Sequence, residues 1–590
     1  MTLSSSPRSE ISFKSISNIF HPRAILQCED SVSADYQIPA LKDEFGKWEM
    51  RGHPKRQLFI TSRELELFAK LLDEEGTPCN RARLPQVHSQ QVLKVLEKFA
   101  NAPVRLGDLQ GEYHATVMID ETYGQRDGII TRVESPSFQP QSADEWVISG
   151  PHFYVGNPFA KTARSVCKEK SDYDVVDLAN IHSDYLPRAV YRPGDENGEL
   201  SAFFNSIPEW PKPQKPVKND IFWKPGFWPV ADDEVAAYET LLGEPLILYG
   251  IDCINPGAKT ARRFGFFCHW DGDIEGAVYW LKNNELECNS REFMELFSVS
   301  RLEQMKPNED QKKRLPKPLT AYPRFMVRDM CQPSNERTLM GALMPPGASA
   351  INTARVVAMF DRYKLLAFAG FCSSVVSDFY VKMKGRGHVH NSDLASLVLP
   401  SSRKLSDAIV ARTLALQCVS SQFDIFYNDI KLDVDSFGLL TSTFDGTDFS
   451  IEKRETLRND MQRRLAQIEI DVLCALDLEL AEEELIQIYS VQFPVMKSYE
   501  EVDEYDSRGQ RLPNTARKDS GGTDLRAASA NHDGTSPLTV SWHIDNGNQT
   551  VTRTFYPPFT RVDRIEDYRT AYRVFSERLG LVTNTIEKSA

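Results

Sequence analysis

The sequence predicts an α+β protein of several domains that ends in a helical segment. Its length of 590 residues corresponds to roughly three or four domains at about 150 residues each. Amphipathic helical patterns alternate along the chain with short β-branched and aromatic runs that are broken by Gly and Pro. A hydrophobic content of 41% beside 26% charged residues is typical of a globular protein in water.

Helices are predicted in several parts of the chain. Ser62–Leu72 combines a capped start with an amphipathic pattern, and residues 86–100 have similar apolar spacing. Residues 451–489 carry apolar side chains three and four positions apart over a length that predicts a helical hairpin. In the middle of the chain, 353–376 predicts a helix and 395–400 a short closing strand.

Other stretches predict strands, turns and connectors. Residues 144–191 contain aromatic and β-branched clusters between Gly and Pro, which predicts short strands and tight turns. Two Pro-rich stretches, 208–229 and 312–318, predict ordered connectors, because proline fixes φ and removes a backbone donor. The polar, Gly-rich residues 501–548 predict a partly flexible tail.

These changes of pattern divide the chain into five predicted segments. They are a mixed N-terminal region with amphipathic helices (1–145), a strand-rich region (146–310), a basic module (311–415), a helical segment (416–500) and a tail (501–590).

The sequence favours a cytoplasmic protein without a membrane partner. Residues 1–30 lack the continuous apolar core of a secretory signal. The longest apolar stretch, 365–381, contains Gly, Ser and Asp and therefore predicts a buried helix. The ten cysteines include no Cys-x-x-Cys pair, so we expect buried reduced thiols and neither a zinc site nor a disulfide framework.

The strongest functional signal is charge. Residues 312–404, here called the basic segment, contain 15 Lys and Arg against 5 Asp and Glu, a net charge of +10 in a chain whose total is −14. A positive region within a negative protein is expected of a surface that binds a polyanion, and nucleic acid is the first such partner to consider.

Two parts of the basic segment supply candidate DNA contacts. Residues 322–346 place three arginines among alternating apolar residues, and the planar guanidinium can bond phosphate or guanine through two donors. The arginines are Arg324, Arg328 and Arg337. The alternative is that an arginine braces the core through a buried ion pair, and Arg337 beside Glu336 is the first candidate for this.

Residues 382–391, with the sequence KMKGRGHVHN, form the second part. Two glycines would let the backbone approach a phosphate closely, and the side chains offer charge, donors and acceptors. The candidates are Lys382, Lys384, Arg386, His388 and Asn391. A solvated basic loop is the alternative. A metal site at His388 and His390 is not expected, because no further ligands lie near them in sequence.

No catalytic residue is assigned from the sequence. Asn157-Pro158-Phe159 lacks the second proline of the Asn-Pro-Pro-Tyr motif that holds a flipped adenine, and no Gly-rich strand-to-helix turn for S-adenosylmethionine precedes it. Tyr556-Pro557-Pro558-Phe559 lacks the initial Asn, Asp or Ser whose oxygen accepts from the target amine.

Several stretches, taken in order from about His53 onward, resemble the C-terminal, non-catalytic half of large adenine-specific DNA methylases of type IIG restriction–modification and phage-defence systems. They are SGPHFYVGNPFAKTAR, DYLPRAVY, PSNERTLMGALMPP, SDFYVKMKGRG with the closing LVLP, EIDVLCALDLELAEEELIQIYSVQFPV and YPPFTRVDRIEDYRTAYRVF.

The resemblance implies a mixed α/β target recognition domain, similar to the specificity domain of TaqI-like methylases. Residues 146–310 would form its first part and 311–415 its basic module, with the helical segment supporting both. The half that carries the cofactor loop and the Asn-Pro-Pro-Tyr motif has no counterpart in this sequence. We therefore expect no cofactor in this chain and S-adenosylmethionine in a partner methylase.

The leading hypothesis is a DNA sequence-recognition subunit that positions a separately encoded methyltransferase over an adenine in double-stranded DNA. One alternative is that the chain is itself a divergent S-adenosylmethionine-dependent adenine methyltransferase, with a degenerate site at Asn157-Pro158-Phe159. Another is a non-catalytic scaffold of a defence complex, whose basic segment docks an acidic protein.

Overall fold

The chain forms two compact units in the computed structural model. Met1–Ser206 and Tyr322–Ala590 belong to the first unit, and Ile207–Ala321 to the second. The residues that the structure describes are 11–29, 38–41, 47–73, 76–194, 207–210, 249–254, 261–266, 287–288, 317–433, 435–514, 517 and 532–581. Most of the two predicted connectors, at 211–229 and 312–316, lies outside these residues.

The described helices occur in both halves of the first unit. In chain order they are α1 (Arg23–Glu29), α2 (Ser62–Leu72), α3 (Gln90–Ala100), α4 (Glu121–Arg126), α5 (Arg362–Ser373), α6 (Val375–Lys384), α7 (Asn391–Ala395), α8 (Arg403–Gln417), α9 (Asp460–Asp477), α10 (Glu482–Gln492), α11 (Pro494–Glu500) and α12 (Arg564–Arg578).

The described strands are short. The first thirteen are β1 (Ser12–Ser15), β2 (Leu58–Thr61), β3 (Tyr113–Thr116), β4 (Ile130–Arg132), β5 (Val147–Ile148), β6 (Lys161–Ala163), β7 (Tyr173–Val175), β8 (Tyr191–Pro193), β9 (Glu209–Trp210), β10 (Tyr249–Ile254), β11 (Ala261–Phe266), β12 (Glu287–Cys288) and β13 (Lys317–Pro318). The others are β14 (Arg324–Arg328), β15 (Gly341–Met344), β16 (Ser349–Ala350), β17 (Ala354–Met359), β18 (Glu504–Tyr505), β19 (Leu538–Ile544), β20 (Gln549–Phe555) and β21 (Thr560–Arg561).

The predicted α+β class is confirmed by this mixture of helices and small, mainly antiparallel sheets. The second unit contains two of them, with strand orders β11-β10-β12 and β13-β9. In the first unit the predicted short strands of 144–191 are present as β5 to β8. One pair, β5 with β16, is parallel.

The largest described sheet has the order β15-β14-β17-β3 and is antiparallel throughout. Phe325 in β14 lies opposite Leu343 on one side and Val357 on the other. Because β3 comes from the predicted N-terminal region and the other strands from the basic segment, the sheet joins two of the predicted segments. The segment boundaries gave no indication of this pairing.

Helix α5 packs on this sheet and is buried from residue 365 to 373. The rings of Phe325 and Phe368 meet edge to face with centroids 5.7 Å apart. On its other side α5 contacts α8 at Gly370, where an added Cβ would lie 2.3 Å from Thr413 Oγ1. Glycine therefore allows the close approach of these two helices.

The predicted helix at 353–376 is wrong at both ends. Its first residues form β17, whose β-branched Val356 and Val357 are buried in the sheet. The helix begins only after Asp361, whose carboxylate accepts from the first free backbone amides. It ends at Ser373, where the chain bends by 71° into α6.

Other predicted helices are confirmed. Helix α2 has the predicted bounds and a capping box between Thr61 and Glu64, and α3 begins after the cap Ser89. The predicted hairpin at 451–489 corresponds to α9 and α10. The predicted strand at 395–400 is reduced to an isolated bridge between Arg105 and Val398.

The tail contains more regular structure than the sequence indicated. Strands β19 and β20 form a hairpin across residues 538–555. Its apolar side chains pack in a small core of Leu512, Val540 and Phe555. The polar, Gly-rich composition of 501–548 had suggested a partly flexible tail, whereas the alternation of buried and exposed residues in these strands fits a hairpin with one buried face.

Buried ion pairs hold the helices together. Arg412 in α8 donates from Nε to Glu469 in α9 at 2.6 Å, and both side chains are fully buried. Glu469 also accepts from the hydroxyls of Ser442 and Thr443. A buried carboxylate with this number of donors is stable only while its arginine remains in place.

A second buried group of charges joins α9, α11 and α12. Arg564 donates to Glu500 at 2.7 Å and to Asp471 at 2.9 Å. Tyr568 donates to Asp471 and Tyr489 to Glu500. Burial alone would raise the pKa of Glu500, but the charges and hydrogen bonds of its neighbours, with Arg564 the first of them, together outweigh burial and lower this pKa to about 2.

Replacing Arg412 by Met should destabilise the protein strongly, because Glu469 would remain buried without its cation. We expect a loss of about 3–5 kcal/mol in the free energy of unfolding, measured by urea denaturation. The matched control is Arg126→Met, since Arg126 pairs with Asp127 at the surface; the stability of this variant should stay close to that of wild type. Equal stability losses in the two variants would contradict this role of the buried pair.

Replacing Glu500 by Gln should reduce the acid sensitivity of folding. The pKa of Glu500 falls from 4.5 to about 2 on folding, so its stabilisation is present above pH 4.5 and is lost as the pH falls towards 2. This contribution is about 3 kcal/mol at neutral pH. Urea denaturation from pH 7 to 3 should show a flatter profile for Glu500→Gln than for the exposed control Glu566→Gln. Identical profiles would contradict the assignment.

Candidate nucleic-acid interface

Arg324 lies inside the core at the start of β14. Its guanidinium donates to the carbonyls of Tyr322, Pro345 and Ala348 at 2.7–2.9 Å, and its side chain has no exposed surface. Burial lowers the pKa of Arg324 to about 9. The prediction that Arg324 contacts DNA is therefore wrong, because its donors are used to close the turns that flank β14 and β15.

Arg337 is also buried, and here the alternative of an internal ion pair is correct. Its partner is Asp378 in α6, at 2.6 Å, and not the neighbouring Glu336. Arg337 also donates to the carbonyls of Ser373 and Ser374 at the bend between α5 and α6. The predicted DNA contact by Arg337 is thus wrong.

Lys382 holds the loop at residues 331–336 in place from its buried side. Its ammonium donates to the carbonyls of Pro333 and Asn335 at 2.7 and 3.2 Å and lies 4.9 Å from the ring centre of Phe493. Only 7% of Lys382 is exposed. The predicted phosphate contact by Lys382 is wrong, but the residue fixes the position of a loop that is itself exposed.

That loop pairs with the Gly-rich loop after α6. The amide of Cys331 donates to the carbonyl of Gly387 at 3.0 Å, and the amide of Val389 donates to the carbonyl of Asp329 at 2.8 Å. Gly385 ends α6 with a φ of 64°, a conformation that glycine adopts without strain. Residues 329–335 and 385–393 together are here called the paired-loop face.

Lys384 and Arg386 share one carboxylate on this face. Lys384 Nζ lies 3.3 Å and Arg386 Nη1 3.2 Å from the oxygens of Asp393. Lys384 is nearly covered, with 7% of its side chain exposed, whereas Arg386 has 31% exposed. Arg386 is therefore accessible to a ligand, and Lys384 acts mainly by balancing the charge of Asp393.

His388 and Asn391 lie in a second polar cluster around Asp329. His388 Nδ1 is 2.6 Å from one oxygen of Asp329, and Arg355 Nε donates to the other at 3.0 Å. Arg355 also donates to the side-chain oxygen of Asn391, whose amide group donates to the carbonyl of Ala115. Asn391 is thus engaged at both ends of its amide, while His388 remains 57% exposed.

The paired-loop face and its supporting residues carry more cations than carboxylates. Asp393 faces Lys384 and Arg386, and Asp329 faces Arg355 together with a histidine. The balance is positive whichever protonation state His388 adopts. Glu336, the next residue along the first loop, is paired with Arg517 at 3.2 Å. A local surplus of positive charge beside exposed polar groups can bind a polyanion.

Arg328, at the other end of β14 from Arg324, is placed differently from the remaining candidates. One of its nitrogens donates to the carbonyl of Phe153 at 2.6 Å, and the guanidinium lies over the rings of Phe153 and Tyr154. Arg328 forms no ion pair with any residue that the structure describes. It retains a charge without a counter-ion.

The basic segment does not fold into one continuous cationic surface, contrary to the prediction. Besides the buried arginines, several of its described cations are paired with carboxylates from elsewhere in the chain. The pairs are Arg362 with Asp429, Lys364 with Glu112 and Arg403 with Asp407. Within the described part of the basic segment, positive charge in the form that the sequence suggested remains at the paired-loop face with its supporting cations and at Arg328.

The sequence reasoning missed Asp329, Asp393 and Arg355, which organise this face. The signal was available for the two aspartates, since they are among the 5 acidic residues of the basic segment. Asp393 also caps α7 by accepting from the amide of His390. An acidic residue within a strongly basic stretch is therefore worth testing as the centre around which the cations are arranged.

The segment around Asn157 does not have the geometry of a methylase site. The side-chain oxygen of Asn157 accepts from the amide of Phe159 at 3.0 Å. Phe159 is fully buried, with its ring edge to face against Trp146, Tyr185 and Phe423. An aromatic ring in this position cannot stack on a flipped base.

Within the described ranges, no group of three or more His, Cys, Asp or Glu side chains is arranged to hold a metal ion. No single helix in that part of the chain is long and apolar enough to cross a membrane. Helices α5 and α6 reach the necessary length and apolar composition only when they are taken together, and the chain bends by 71° between them.

No protein-family model matches the chain, and no curated protein matches it significantly.

Replacing Lys382 by Met should loosen the first loop of the paired-loop face. The variant loses the two hydrogen bonds to the carbonyls of Pro333 and Asn335, and we expect faster hydrogen exchange at the amides of 331–336. Mass spectrometry resolves this segment, and Lys364→Met serves as a control because Lys364 pairs at the surface with Glu112. Unchanged exchange in 331–336 would show that Lys382 does not hold the loop.

Proposed function

We propose that this chain is a DNA sequence-recognition subunit that binds duplex DNA through the paired-loop face and positions a separately encoded adenine methyltransferase. Such subunits would act in restriction–modification or phage-defence systems, on DNA in the cytoplasm. The observation that carries the proposal is the group of three cations, Lys384, Arg386 and Arg355, that surrounds the carboxylates of Asp393 and Asp329 at the paired-loop face. Duplex DNA presents the closely spaced phosphate charges that such a face fits.

The side chains of the face have two proposed roles: one contacts phosphate and positions the duplex, and the other reads a base edge. Arg386 is accessible and charged, so it suits a phosphate contact that fixes register. The Nδ1 atom of His388 is hydrogen-bonded to the carboxylate of Asp329, and its Nε2 has no hydrogen-bond partner among the described residues. Because the carboxylate favours a proton on Nδ1, Nε2 of the neutral ring is an acceptor. It would then accept from the exocyclic amine of adenine or cytosine in the major groove.

The methylase activity is assigned to a partner chain. The geometry around Asn157 and Phe159 does not favour the alternative in which this chain transfers the methyl group itself. S-adenosylmethionine would therefore be bound by the partner methyltransferase. The sequence resemblance to the non-catalytic half of adenine-specific methylases supports the same division of labour.

Replacing Arg386 by Gln should weaken duplex binding by removing a phosphate contact. For wild type, the logarithm of the binding constant should fall linearly as the logarithm of the salt concentration rises. Arg386→Gln should lower this slope by about one. Fluorescence anisotropy with a mixed-sequence duplex measures both, and Arg573→Gln is the matched control because Arg573 is exposed on α12 and pairs with Glu577.

Three other results would redirect the proposal. Absence of salt-dependent duplex binding by wild type would overturn it and favour the scaffold alternative. Equal slopes for Arg386→Gln and wild type would remove the paired-loop face from the interface. Calorimetric titration with S-adenosylmethionine supplies the third test, since clear binding by the chain alone would favour a methyltransferase.

A further inference from the structure

Met330 places a large apolar side chain at the surface of the paired-loop face. It follows Asp329 directly, and 51% of it is exposed. The residue forms an isolated antiparallel bridge with His388 of the other loop, whose side chain is 57% exposed. An apolar and a hydrogen-bonding side chain are therefore presented side by side to whatever lies on this face.

Backbone hydrogen bonds fix how this bridged pair is placed. The amide of Cys331 donates to the carbonyl of Gly387 at 3.0 Å, on one side of the pair. The amide of Val389 donates to the carbonyl of Asp329 at 2.8 Å, on the other side. The pair itself is thus non-hydrogen-bonded, the arrangement in which opposite side chains are closest, with Cβ atoms about 4.5–5.5 Å apart.

Both members of the pair point away from the core. The residue that follows each of them, Cys331 in one loop and Val389 in the other, is buried. Successive side chains of an extended chain alternate between two faces, so Met330 and His388 face outward. The ring of His388 is also fixed by the bond of its Nδ1 to Asp329 at 2.6 Å, which leaves the Nε2 edge for a ligand.

This combination fits one kind of base pair. With its proton on Nδ1, the neutral histidine offers an acceptor at Nε2, and both adenine and cytosine present an exocyclic amine to an acceptor in the major groove. An A·T pair carries an apolar group on the same edge, the C5-methyl of thymine. A C·G pair has no such group and would leave the exposed methionine without a contact.

We infer that Met330 and His388 together read one A·T base pair, with His388 accepting from the adenine amine and Met330 contacting the thymine methyl. The inference rests on the proposed function, because it requires the major groove of a duplex to lie on the paired-loop face. It extends that function by selecting adenine over cytosine and by assigning a specificity role to an uncharged residue. Arg386, two residues before His388, supplies the phosphate contact that holds the groove in register.

The inference is tested by selecting duplexes from a pool in which a central stretch of base pairs is randomised. Full-length wild type is compared with Met330→Ala, with Met330→Leu and with Met50→Ala, a matched control because Met50 is 49% exposed outside the paired-loop face. Wild type and Met50→Ala should enrich the same motif. Met330→Ala should lose the preference for thymine at one A·T position of this motif, and Met330→Leu, which keeps an apolar side chain, should retain it.

Removal of the thymine methyl gives a quantitative measure. Deoxyuridine replaces thymine at that position of the selected duplex, so that only the methyl group is lost. Binding by wild type should weaken about fourfold, the effect of one buried methyl group, whereas binding by Met330→Ala should not change. Fluorescence anisotropy at one fixed salt concentration measures both dissociation constants.

His388→Ala should relax the same base pair from the adenine side. Replacing this adenine by purine, which lacks the amine, should weaken binding by wild type but not by His388→Ala. His543→Ala is the control, since His543 is exposed on the hairpin of β19 and β20. Relaxation of two different base pairs by the Met330 and His388 variants would contradict the joint reading of one pair.

The outcomes separate the inference from the proposed function. If Met330→Ala enriches the wild-type motif and responds to deoxyuridine as wild type does, the inference is overturned and sequence recognition by the chain stands. Salt-dependent duplex binding without an enriched motif overturns the inference and leaves DNA binding in place. Absence of duplex binding by wild type overturns the proposed function and the inference with it.

Discussion

The structure depends on carboxylates that are buried between helices and held there by arginines. Glu469 is bound by Arg412 with both side chains fully buried, and Asp378 is bound by Arg337 with nearly the same burial. A buried charge without its partner costs several kcal/mol. Each of these pairs is therefore stable only when both of its elements are correctly placed, which fixes the relative positions of the helices.

This constraint determines how much of the positive charge is available for binding. The pair of Arg337 with Asp378 ties the loop before β15 to α6, and Lys382 ties the loop at 331–336 to the same helix. Cations that had suggested a DNA-binding surface are thus used to build the support of that surface. What remains exposed is the smaller paired-loop face.

The sequence predicted the elements whose signals are local. Helix α2 follows from its cap and its amphipathic pattern, and the hairpin of α9 and α10 follows from a long apolar periodicity. The partners of buried charges are not local: Asp378 lies 41 residues beyond Arg337. For this reason the sequence analysis included a buried ion pair of Arg337 as an alternative but assigned the neighbouring Glu336, and not Asp378, as its partner.

The candidate site was predictable to a similar extent. Arg386 and His388 were recognisable because they lie in a short, exposed, Gly-rich loop. The residues that organise them are Asp329, directly after β14, and Arg355 in β17, and they meet only once the sheet has folded.

The central claim is that duplex DNA binds across the paired-loop face. Hydrogen exchange of the full chain, compared with and without a mixed-sequence duplex, tests it most directly. The account predicts slower exchange on DNA binding in residues 329–335 and 385–393, with little change at the hairpin of β19 and β20. Protection confined to other parts of the chain, or none at all in the presence of saturating duplex, would contradict it.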